Sequence, residues 1–158
     1  MHKIMIVAVS LAVFVLPAAA QKEFPRAEVF GGYQFLHLYP SLNANGWNAA
    51  VNGNVNRWFG VTADFSGSYK NSGHLYTYMF GPTFSARTGP LTAFAHTLLG
   101  GARTEGNGFA MAVGGGADVN AGQHFAIRLI QADWLLFRAE GVTEKRNGRV
   151  SAGVVVRF

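Results

Sequence analysis

The side chains able to do acid–base, nucleophilic or ligand chemistry are few, and their spacing decides what they can do. His37, His74, His96 and His124 stand far apart in the chain, without the tight His/Cys repeats that build a metal site. Neither His74 nor His96 has a serine at a spacing that implies a catalytic pair, and no G-x-S-x-G elbow occurs. "VGGGADV" (113–119) is glycine-rich but lacks the G-x-G-x-x-G phosphate spacing, and no helical pattern follows it. With no cysteine in the chain there is no thiolate chemistry and no disulfide framework. The expectation is no catalytic site, no cofactor and no metal.

The remaining charged residues form a different pattern. Glu28, Asp64, Arg87, Asp118, Arg128, Asp133 and Arg157 fall in segments where apolar and polar residues alternate, on the polar parity. Charges withdrawn from water must be paired, because a lone buried ion costs several kcal/mol. These seven are therefore expected to form an internal ion-pair network joining several strands. Its role is either structural filling or a narrow water-lined path for small solutes.

The elements that would hold them are strands. Period-two alternation marks half-buried strands, and it recurs eight times: 27–38, 47–56, 59–69, 74–87, 91–100, 109–120, 125–137 and the terminal segment from Arg149. The second is the clearest, with Trp47, Ala49, Val51, Gly53 and Val55 opposite Asn48, Ala50, Asn52, Asn54 and Asn56. Phe30 and Leu36 blur the first, and the parity of the fifth is ambiguous. Arg128, Gln131 and Asp133 cannot share one face of a regular strand, so a bulge is expected near Leu129 to Gln131. Connections at 39–46, 70–74, 101–108 and 138–148 read as longer, and those at 56–59, 87–91 and 120–124 as short.

Composition says which solvent this sheet meets. Charged residues are 13% and aromatics 13% of the 158 residues; soluble domains carry roughly twice that charge. The small Asn, Ser, Thr and Gly of the polar row suit a narrow lumen, whereas a row facing water would call for Lys and Glu. The opposite row (Trp47, Phe59, Phe65, Tyr69, Tyr76, Tyr78, Phe80) is bulky and apolar, as lipid contact and interfacial girdles require. An all-β, eight-stranded antiparallel up-and-down transmembrane β-barrel over residues 21–158 follows. Residues 1–20 read as a secretory signal peptide: His2 and Lys3, an apolar run to Leu16, Pro17, then Ala18 to Ala20 before Gln21. The isoelectric point near 9.9 is not a nucleic-acid signature, since the arginines are scattered.

Several stretches carry a family likeness: "FGGYQF" (30–35), "GVTADFSGSY" (60–69), "LYTYMFGPTFSAR" (75–87), "VGGGADV" and the closing "VVVRF". In this order they resemble the small outer-membrane β-barrel family that includes the membrane domain of outer membrane protein A. The resemblance implies a monomeric protein of a Gram-negative bacterial outer membrane, surrounded by its lipids, with a structural or interaction role. It also implies that Ala152, Val154, Val156 and Phe158 form the terminal signal read by the barrel-assembly machinery. A narrow porin-like channel is the alternative, and a lipid-modifying enzyme using His74 or His96 a more distant one.

Overall fold

The computed structural model describes residues 24–158, and the segment read from the sequence as a signal peptide lies outside them. Among the described residues eight strands follow one another without a helix: β1 (Ala27–Leu38), β2 (Leu42–Asn54), β3 (Phe59–Lys70), β4 (Gly73–Thr88), β5 (Leu91–Arg103), β6 (Asn107–Asn120), β7 (Phe125–Ala139) and β8 (Val142–Arg157). Each pairs antiparallel with its sequence neighbours, and β1 pairs with β8, closing the sheet into a barrel with no free edge. Closure leaves no edge strand whose backbone groups would need water, the condition for a sheet to sit in hydrocarbon.

Side-chain parity sets the two surfaces. Along β3, Thr62, Asp64 and Ser66 are buried inward, while Val61 and Phe65 are outward and 50% and 40% exposed. The apolar row of β8 (Val150, Ala152, Val154) is likewise outward, with Arg149, Ser151 and Arg157 turned in. On β5 the parity resolves with Thr92, His96 and Leu98 inside. Phe30 and Leu36, which blur the pattern of β1, also point inward and are almost wholly buried.

Two irregularities adjust the wall. On β7, Leu129 and Ile130 both face out, opposite the single Ala152, as pairing steps from Arg128↔Gly153 to Gln131↔Ser151. That bulge lets Arg128, Gln131 and Asp133 all turn inward, at the position their spacing predicts. On β4, Pro82 continues the ladder to β3 opposite Val61, but pairing to β5 lapses at Gly81 and Pro82. The missing amide hydrogen of proline costs the sheet one side of its ladder there.

The connections differ from expectation. The stretches 39–46, 70–74, 101–108 and 138–148 are mostly strand, leaving only residues 39–41, 71–72, 104–106 and 140–141 between strands. Asn43, Asn45, Gly46, Asn107, Gly108, Asn147 and Gly148 stay paired because the neighbouring strands are long enough to hold them; composition alone misreads them as loop. Glu140 and Gly141 both take positive φ (52° and 80°), as a two-residue hairpin turn demands. At the other end Asn56 Oδ1 accepts from the amides of Trp58 (2.9 Å) and Phe59 (2.8 Å), fixing a compact turn.

Candidate functional site

Because every other residue points inward, the barrel stacks side chains from all eight strands into layers of one lumen. Two layers are ionic. Nearest the chain termini, Glu28 of β1 receives Arg157 Nε of β8 (2.7 Å) and Arg87 Nη2 of β4 (3.2 Å). Arg157 also reaches Asp118 Oδ2 (3.5 Å) and donates to Asn120, while Asp118 holds Arg128 Nε at 2.7 Å. The guanidinium of Arg128 lies between the rings of Phe30 (4.4 Å) and Phe94 (4.2 Å), so its faces meet π-electrons while its edges meet acceptors.

The second layer centres on Arg149, 1% exposed, which donates to Asp64 (2.8 Å) and Asp133 (2.6 Å). Asp133 also binds His96 Nε2 (2.7 Å) and the Gln131 amide (2.8 Å). Gln131 accepts from Arg128 at 2.7 Å, which joins the two layers into one network. All seven charged residues singled out from the sequence lie in it. Arg149 and His96 are the members that selection omitted. The parity shared by Arg149, Ser151 and Arg157 carries the signal for the first. For His96 the ambiguous pattern of β5 carries none: far from an interfacial position, the ring is sealed in the lumen. His74 by contrast is exposed beside Tyr76, with ring centroids 5.3 Å apart.

Between and around these groups the free space is about 30 Å³, room for very little beyond single waters. The lumen is not polar throughout, as alternation would have it. Toward the hairpins opposite the termini, Leu36, Met79, Leu98 and Leu135 form an apolar layer, each no more than 1% exposed. Beyond that layer the barrel opens into a cavity of about 800 Å³.

The outer surface has its own order. At the terminal end Trp58 stacks on Phe84 at 6.0 Å, with Phe59 tilted beside them. At the opposite end Trp47 Nε1 donates to Tyr69 (3.2 Å), whose hydroxyl meets that of Tyr76 (3.3 Å). Gly67 leaves the space that the Trp47 indole fills. Val51, Val113 and Val154 lie in the band between, each more than two-fifths exposed.

A closed eight-stranded ring, apolar outside and ionic within, is the architecture of the small outer-membrane β-barrels. Among solved structures the chain is similar to Neisserial surface protein A, with a TM-score of 0.64 at 15% identity, covering 84% of this chain and 96% of that one. It is similar to Ail, the attachment invasion locus protein of Yersinia pestis (TM-score 0.58, 18% identity, 85% and 99% covered). The N-terminal β-barrel domain of Pseudomonas aeruginosa OprF gives a TM-score of 0.58 at 12% identity, with 86% and 100% covered. No protein-family model matches the chain, and no curated protein matches it either. At these identities the likeness is one of fold.

Proposed function

We propose that the chain is an integral β-barrel of a Gram-negative bacterial outer membrane, monomeric and non-enzymatic, with a structural or interaction role. The observation that carries this reading is the outer face. From Phe59 to Tyr69 along β3, an apolar band runs between two aromatic girdles. Those ten steps rise about 33 Å along a strand, or about 25 Å along the axis at a tilt of roughly 40°, the height of a lipid-facing band. In water that band would be an aggregation surface; in lipid it is the solvated face.

The ionic layers support a closed lumen rather than a channel, since their side chains fill the bore. A lipid-modifying role for His96 is disfavoured because the lipid face lies on the other side of the wall. In the same reading Ala152, Val154, Val156 and Phe158 serve as the assembly signal, and surrounding lipids are the standing partners. External connections of two or three residues favour contact through the barrel rim over a large adhesive surface. Membrane fractionation with gel migration before and after boiling tests the assignment. A heat-modifiable band in the outer-membrane fraction is the expected result, with unit conductance absent in planar bilayers. A soluble periplasmic protein would overturn it.

A further inference from the structure

The cavity at the hairpin end is built unlike the rest of the lumen. Its walls are Leu38, Ala44, Leu75, Ala102 and Phe137, and Leu36 lies at its base. Met79, Leu98 and Leu135 close the lumen in the same apolar cluster, and the Arg149 layer follows. The result is a blind cup: apolar-walled, open at the rim, stoppered at the bottom. Its volume of about 800 Å³ lies within the roughly 300–1,000 Å³ range of small-molecule sites. An eight-stranded barrel is only wide enough for packed side chains, so hollow space arises here because Ala44, Ala102 and Gly108 leave it unfilled. An occupant must therefore be slender, and apolar at the tip that meets Leu36.

The rim chooses the head. Lys70 ends β3 at the β3–β4 turn on the inward parity of Ser66 and Ser68, and no acidic residue adjoins it in sequence; His74 across the turn shares the outward parity of Tyr76. The glutamates of the rim, Glu105, Glu140 and Glu144, lie on the β5–β6 and β7–β8 hairpins, with Arg138 of β7 among them. The β3–β4 arc of the mouth thus sets one cation, Lys70, over an apolar well.

We infer that this cup binds the alkyl chain of a straight-chain fatty acid, tail against Leu36 and carboxylate toward Lys70. The inference needs only the cup, and stands whichever compartment the mouth faces. Alkyl burial strengthens binding by about fourfold per methylene, so affinity rises with chain length until the tail reaches the floor and then levels off.

Equilibrium dialysis of labelled dodecanoate against the full barrel, refolded in an amphipathic polymer, tests this without competing detergent. Saturable uptake of one molecule per barrel is expected. Ala102→Phe and Ala44→Phe, which fill the cup, should each weaken uptake about tenfold or more, the equivalent of roughly two buried methylenes. Val113→Phe on the outer wall should leave it unchanged. Lys70→Gln should weaken dodecanoate and spare dodecanol. Heat-modifiable migration of each variant establishes that the barrel has formed. Absence of saturable uptake, or equal uptake by the parent and both cup-filled barrels, would overturn the proposal. Equal losses for dodecanoate and dodecanol would remove the carboxylate from it.

Discussion

Replacing Arg149 by Met asks how much the inner ionic layer contributes to stability. The guanidinium is fully enclosed and bridges Asp64 and Asp133, whose side chains are 1% and 0% exposed. After Arg149→Met, Asp133 keeps His96 and Gln131 as partners, but Asp64 keeps only the Asn48 amide at 3.0 Å. A buried charge stripped of its partner costs about 3–5 kcal/mol. With a urea dependence of about 2 kcal/mol per molar, the unfolding midpoint in lipid vesicles should fall by about 1.5–2.5 M. Adding Asp64→Asn removes the stranded charge and should restore about 1–3 kcal/mol, a coupling expected of groups in one network. Tryptophan fluorescence and the boiled-versus-unboiled gel shift read the same transition. A single variant within about 1 kcal/mol of the parent, or a double variant that merely adds the two losses, would refute the account of Arg149 as the counter-charge that Asp64 otherwise lacks.

Val113→Arg on the mid-wall of β6 should cost about 2–4 kcal/mol in vesicles, because a cation placed near the hydrocarbon midplane loses its water; urea titration measures it, and no loss would argue that this wall does not face lipid. Gly153→Ala would set a methyl group against the Gly31 carbonyl and Gly32 Cα across the closing seam. A cost of about 1–3 kcal/mol from overpacking should appear as a smaller heat-modifiable fraction. Phe158→Ala keeps the terminal backbone bonds, Arg26 N–H to Phe158 O at 2.8 Å and Phe158 N–H to Ala27 O at 2.9 Å. Refolding in vitro should therefore change little while the amount assembled in cells falls. Equal yields in cells would remove the terminal aromatic from its signalling role.

The barrel was legible because alternation is a local property: each strand announces its two faces without reference to any other. Even the β7 bulge could be read, since Arg128, Gln131 and Asp133 break the period by one residue. Connection lengths were not legible. Asn43, Asn45 and Gly46 look like loop residues, yet they pair with His37, Phe35 and Gln34, an outcome decided by the partner strand. Leu36 and Met79 were equally opaque: an inward leucine blurs an alternating pattern, and only the assembled ring shows that these exceptions share one layer. Which arginine meets which acid depends on registers spanning most of the chain, as Glu28 and Arg157 illustrate.

The pairing of the lumen has a consequence for what the rest of the cell feels. Arg87, Arg128, Arg149 and Arg157 are matched by Glu28, Asp64, Asp118 and Asp133. In the formal +5 of the chain, which counts every histidine as neutral, these paired charges cancel, so that excess belongs to residues outside the bore. Among the described residues an approaching ion meets it at the two mouths, where Arg26 and Arg57 sit at one, and Lys70, Arg103, Arg138, Lys145 and Arg146 outnumber Glu105, Glu140 and Glu144 at the other. Attraction toward phosphate-bearing headgroups is therefore an end effect, fading over a Debye length of about 8 Å at physiological ionic strength, and the midsection is electrically silent.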